Sequence, residues 1–171
     1  MNPDVLAVDE IDAGDALALA TRFERQWAYR GAQALFWKPP LLDGAQIHDA
    51  YLPSSVARPF ERRGFLRVDG RTNGEPLSLV VTQVADDRAR RIRDTRFIRT
   101  QLRACRTRTM LFMRVSAARF HLDDLHFACV SQMRTGSSRI YAREVGILAD
   151  EELEVSPSIG HALVLRCDGR S

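Results

Sequence analysis

An α+β domain with a strong antiparallel component is the fold class this sequence predicts, and three observations predict it. Pro76–Gln83, PLSLVVTQ, holds a β-branched apolar run with the length of a buried strand. It feeds directly into ADDRARRIRDTRFIRTQLRA, an unbroken helical pattern carrying seven arginines. Just before the strand, Asn73-Gly74 separates two apolar arms, a strong type I′ hairpin signal. A hairpin, a buried strand and a basic helix in succession form a layered core. The chain has 171 residues, 45% hydrophobic and 27% charged, which is enough for one domain with a real interior, taken as residues 1–171.

The other elements follow in order. Val5–Ile11 is a short strand ending in the acidic residues Asp9, Glu10 and Asp12. Ala13–Gln26 is a helix whose Leu17, Ala20 and Phe23 share a face, with Asp12 or Asp15 as its cap. Trp27–Trp37 has two strand-like halves broken at Gly31. Leu41–Pro59 is irregular, punctuated by Gly44, Pro53 and Pro59. Arg63–Gln83 is the hairpin, and Asp86 and Asp87 open the long helix, where acidic groups suit the positive end of the helix dipole. Ile92, Thr95, Ile98, Leu102 and Cys105 form its buried stripe. Thr109–Val115 is a second buried strand, Phe120–Leu125 a loop or single turn, and Phe127–Val130 a short strand. After a turn at Thr135–Ser138, strands at Arg139–Leu148, Leu153–Val155 and His161–Cys167 complete the pattern.

Charge and cysteine content narrow the function classes. The net charge is +3, and Lys38 is the only lysine, so the positive charge is nearly all arginine. Arginine presents a planar fork suited to carboxylates and phosphates. The plainer account of the bias is a GC-rich bacterial genome. The N-terminal MNPDVLAVDEID has no basic region of a secretory signal, and no apolar run has membrane-spanning length. Cys105, Cys129 and Cys167 are odd in number and widely spaced. They read as reduced thiols of a cytoplasmic protein.

Seven segments, taken in this order, resemble one superfamily. PDVLAVDEID is similar to a strand written PDVVALQEVD in the endonuclease/exonuclease/phosphatase superfamily. YRGAQALFWKPPL, RRGFLRVDG with NGEPLSLVVTQ, and DDRARRIRDTRFIRTQLR resemble that family's next strand, hairpin and helix. LFMRVSA, RIYA and IGHALVLR sit where it has L-A-G-D-F-N-A, R-I-D-Y and S-D-H-x-P-V. The resemblance implies a four-layer α/β sandwich, with two mixed, largely antiparallel sheets face to face, helices outside and the first strand missing. It also implies metal-dependent phosphodiester or phosphomonoester hydrolysis, with magnesium held by oxygen ligands.

Carried over residue by residue, the implied chemistry is mostly absent. Glu10 matches the metal-binding glutamate, and His161 the terminal histidine. The D-x-N pair falls on Arg114 and Ser116, the aspartate before the terminal histidine on Gly160, the histidine after Thr82 on Gln83, and the aspartate of R-I-D on Tyr141. Arg114 puts a fixed cation where a base or metal ligand belongs, and it repels magnesium. Losing several members of a unit that acts together removes most of its catalysis. The expectation is a catalytically degenerate member without a cofactor, acting as a binding or interaction module. The alternative is a weak phosphoesterase using Glu10 and His161 with magnesium or manganese.

Other clusters are weighed the same way. Glu10 reads more plainly as a solvated strand-end carboxylate that helps cap the next helix, and His161 as a strand-start histidine. His121 and His126 are five apart and do not converge on a metal. Arg90, Arg93, Arg96 and Arg103, with Arg114, are candidates for binding phosphate or nucleic acid. Asp86, Asp87 and Asp94 are expected to offset the helix arginines locally. Expected partners are a phosphorylated ligand or nucleic acid, and a protein partner or second copy at an open sheet edge, with no membrane.

Overall fold

The computed structural model describes residues 4–56, 63–105, 108–114, 122–132, 138–143, 149–154 and 161–166. The chain order is β1 (Val5–Asp9), α1 (Ala13–Arg22), β2 (Gln26–Arg30), β3 (Gln33–Trp37), β4 (Asp43–Tyr51), α2 (Pro53–Val56), β5 (Gly64–Thr72) and β6 (Glu75–Gln83). Then come α3 (Arg88–Arg103), β7 (Arg108–Arg114), β8 (Ala128–Gln132), β9 (Ser138–Arg143), β10 (Ala149–Glu154) and β11 (His161–Arg166). A five-stranded sheet has the order β10-β11-β1-β3-β2, and a six-stranded sheet the order β4-β5-β6-β7-β9-β8. Both are largely antiparallel. The parallel pair is β6 with β7, because α3 crosses over between them.

Side-chain alternation builds the layers. On β6 and β7, Leu77, Leu79, Val81, Met110 and Phe112 point inward, against Val5, Leu35 and Trp37 of the other sheet. Their neighbours Val80, Leu111 and Met113 point outward onto Ile98 and Leu102 of α3. A strand buried on both faces needs a continuous apolar sequence, and that is why these runs were legible. On the other side of the sandwich, Ala16 and Ala20 of α1 cover Val8, Ala34 and Phe36. The layers are α1, sheet, sheet, α3. Each fully buried large side chain contributes about 1.5–3 kcal/mol. Among the described residues, no helix is long and apolar enough to cross a membrane.

The hairpin forms where Asn73-Gly74 places it. Thr72 pairs with Glu75, and Asn73 and Gly74 have φ of 51° and 81°. Three expectations are corrected. Leu41–Pro59 is not irregular: it holds β4, nine residues paired along β5. β4 is an edge strand, so its side chains are mostly exposed and carry no apolar alternation. The first helix stops at Arg22; Ala20 is buried as expected, but Leu17 and Phe23 are exposed and Ala16 is buried beside Ala20. The α3 stripe is rotated from the expected one: Ile92 is 53% exposed, and the buried positions are Asp94, Ile98 and Leu102. The turn expected at Thr135–Ser138 lies mostly outside the described residues. β1 has neighbours on both sides, β3 and β11. The sheets' outer strands are therefore β10, β2, β4 and β8, and none of these edges lies beside β1.

Candidate functional site

β1, β6 and β7 bring their C-terminal ends to one end of the sandwich. Gln83 and Arg114 are register partners, and the Val84 N–H donates to the Arg114 carbonyl at 3.0 Å. β1 delivers Asp9 and Glu10 to the same place. Arg114 Nη1 lies 3.4 Å from Asp9 Oδ2 and also forms an ion pair with Glu10. Two of the residues singled out in the sequence, Glu10 and Arg114, are thus joined, and they neutralise each other. Glu10 is not the helix cap; Asp12 is, accepting from the Asp15 N–H at 2.8 Å. Glu10 sits at φ +60°, a left-handed conformation that turns the chain sharply after β1 and is uncommon outside glycine.

Beneath this pair lies a second layer that sequence reading missed. Asp9 is 7% exposed, and Gln33 on β3 is fully buried. Gln33 Nε2 donates to Asp9 Oδ1 at 3.2 Å, while Gln33 Oε1 accepts from the Gly64 N–H at 2.8 Å. Thr82 Oγ1 donates to the Gly64 carbonyl at 2.9 Å. The amide of Gln33 therefore stitches the two sheets together and orients Asp9. The available signal was a lone glutamine inside AQALFW, since a polar group buried in an apolar strand needs partners.

Burial pushes the Asp9 carboxyl above the usual aspartate range; Arg114 opposes the rise, and Glu10 adds to it. Burial works against the Arg114 charge, but the two carboxylates more than offset it and hold its pKa above the ordinary value. The Asp9 shift has a sign for stability. A carboxyl whose pKa is raised on folding contributes stability below its unfolded pKa, and that contribution is lost as pH rises through the folded value. Asp9→Asn keeps the Gln33 bond and removes the titration. Its unfolding free energy, measured by urea across an acid-to-neutral pH series, is expected to fall less than that of the parent above the ordinary aspartate range. A parallel pair of profiles would contradict this assignment.

His161 begins β11, one residue before Ala162, which stands opposite Val8. Its backbone therefore reaches the same end of the sandwich as Asp9; its side chain lies outside what the structure describes. Ser116, Gly160 and His121 also lie outside the described residues. Tyr141 is buried on β9 opposite Leu111, and burial raises its pKa. Arg90, Arg93, Arg96 and Arg103 are not brought to Arg114; they ride on α3, outside the six-stranded sheet. His126 is exposed at the end of the short 3-10 turn Asp123–Leu125.

The divalent ion implied by the resemblance does not fit this donor set. Asp9 and Glu10 are already engaged by a guanidinium. Among the described residues, no group of three or more His, Cys, Asp or Glu side chains could hold a metal.

No family model and no curated protein matches the sequence. Solved structures do match over nearly the whole chain. An endonuclease/exonuclease/phosphatase family protein from Bacteroides thetaiotaomicron aligns at a TM-score of 0.69 and 9% identity, over 95% of this chain and 80% of that one. A mannosyl-6-phosphatase from the same species aligns at 0.71 and 10% identity, over 95% and 84%. D. rerio TDP2, in complex with a single-strand DNA product, aligns at 0.69 and 10% identity, over 95% and 85%. Together with the two face-to-face sheets and the outer helices, these likenesses show that the chain has the fold of the endonuclease/exonuclease/phosphatase family.

Proposed function

We propose that this protein is a degenerate member of the endonuclease/exonuclease/phosphatase superfamily that does not hydrolyse phosphoesters and works by binding a phosphorylated ligand. The observation that carries the proposal is the position of Arg114, between Asp9 and Glu10. Phosphoester hydrolysis by a metal needs free carboxylates to hold the cation and a water to attack. Here an internal cation takes both carboxylates. A covalently tethered guanidinium supplies charge but no bound water and no open coordination position. Phosphorylated ligands are the chemistry named for the mannosyl-6-phosphatase and the DNA-bound TDP2 above, and the arginine-rich surface suits them.

The test is a calorimetric titration of magnesium and of manganese into the protein, with p-nitrophenyl phosphate and its bis ester as reporter substrates. No saturable metal binding and no metal-dependent turnover are expected. Turnover that requires metal and disappears in both Glu10→Ala and His161→Ala would overturn the proposal in favour of a weak metal-dependent phosphoesterase.

A further inference from the structure

The outer face of α3 is a strongly charged surface on an element whose inner face is fixed. Asp94, Ile98 and Leu102 are buried against the sheet, so the opposite side faces solvent. Arg93, Arg96 and Arg103 are exposed there, and Arg88 is exposed on its flank. At 3.6 residues per turn, Arg88, Arg96 and Arg103 fall within an arc of about 80°, and the row from Arg88 to Arg103 is about 22 Å long. Of the acidic residues expected to offset it, Asp94 and Asp87 are committed elsewhere, and Asp87 also acts on Arg93. Asp94 is buried and accepts from Ser54 N and Oγ at 3.1 and 2.6 Å. Asp87 caps the helix and pairs with Arg90. Asp124 is taken by Arg99. Arg88, Arg96 and Arg103 have no ion-pair partner among the described residues.

We propose that this face binds the phosphate backbone of nucleic acid, without base readout. The spacing sets the ligand class. Arg88 and Arg96 are about 12 Å apart along the axis, and Arg96 and Arg103 about 10 Å, so they do not converge on one phosphate. They match a ligand with many phosphates in a line, such as duplex DNA with one charge per ~1.7 Å of axis. Guanidinium forks suit phosphate oxygens. A membrane surface fits less well, because a helix lying on a bilayer buries its apolar side, and here Ile98 and Leu102 are spent in the core. Ile92 is the one large apolar side chain exposed among these arginines. The inference rests on the binding half of the reading above and is independent of whether the Asp9–Arg114 site hydrolyses anything.

The experiment is fluorescence anisotropy of a labelled duplex of about 20 base pairs with the full chain, across a salt series. Binding at low salt is expected, with a slope of log K against log salt of about −3 to −4, for four phosphate contacts. The triple substitution Arg93→Gln, Arg96→Gln, Arg103→Gln should weaken binding about tenfold or more and bring the slope close to −1. Arg22→Gln, on α1, should leave both unchanged. Circular dichroism checks that the triple variant is folded, and the lysine triple variant should keep most of the slope. Failure to bind at low salt, equal binding by the folded glutamine variant, or binding to phosphatidylserine vesicles without binding to duplex would each overturn the inference. Because the hydrolysis assay uses small esters and no duplex, the two proposals fail separately.

Discussion

Replacing Gly64 by alanine is expected to lower the unfolding free energy by about 3 kcal/mol. A Cβ on Gly64 would stand 2.7 Å from the Arg30 carbonyl oxygen and 2.9 Å from Gln33 Oε1. The first neighbour is strand backbone, which cannot rotate away. The second is the acceptor of the Gly64 N–H itself. Relief therefore requires the two sheets to part at the place where Gln33 joins them. Overpacking of this kind costs about 1–3 kcal/mol. The disturbed bond between buried groups adds about 1 kcal/mol more. For a domain of this size the loss corresponds to a fall in Tm of roughly 10 °C. Gly74→Ala is the comparison, because its φ of 81° imposes strain while its Cβ would meet nothing within 4 Å. It should cost only about 1 kcal/mol. If the two variants unfold at the same urea concentration, close sheet approach is not what requires glycine at position 64.

Asp94→Ala is expected to cost about 3–4 kcal/mol. Asp94 is fully buried in α3, and its two oxygens receive the N–H and hydroxyl of Ser54 in α2. Arg63 Nη2 in turn donates to Ser54 Oγ at 3.2 Å. Alanine leaves the Ser54 donors, themselves 3% exposed, without an acceptor and opens a small void beneath α2. Hydrogen bonds to a charged acceptor are each worth about 1.5–3 kcal/mol, so losing two outweighs the better helix propensity of alanine. Asp94→Asn keeps one acceptor oxygen and should lose roughly half as much. Urea unfolding separates the cases. A cost for Asp94→Ala no greater than that of Arg103→Ala, on the exposed side of the same helix, would show that the α2–α3 contact does not depend on this carboxylate.

Legibility in the sequence followed burial. The β5–β6 hairpin and the β6, β7 runs were readable because both faces of those strands are covered, and because Asn73-Gly74 accepts positive φ. β4 was not readable, since an edge strand has no core to impose alternation on DGAQIHDAY. The stripe of α3 was read correctly at Ile98 and Leu102 but not at its start, because the third fully buried position is Asp94, which no apolar pattern marks. Glu10 and Arg114 were visible through a resemblance. Their pairing was not, because 104–105 residues separate Arg114 from its two carboxylates and only the packed sheets bring them together. Asp9 and Gln33 were missed for a related reason. Each looks ordinary alone, and what distinguishes them is a shared hydrogen bond across 24 residues.

The place of β1 also dictates an order of assembly. Val5–Asp9 pairs on one side with β3, about thirty residues away, and on the other with β11, near the far end of the described chain. The first contact closes a short stretch of chain; the second requires every residue through β11 to have been made. On a ribosome, β1 would stand as a bare apolar edge through most of synthesis, open to pairing with other chains. Asp9 and Glu10 are at its tip, and β7, which carries Arg114, is made before β11, which covers the other flank. A chain made only as far as β7 thus holds all three partners of the electrostatic clasp, yet lacks one flank of the strand that carries two of them.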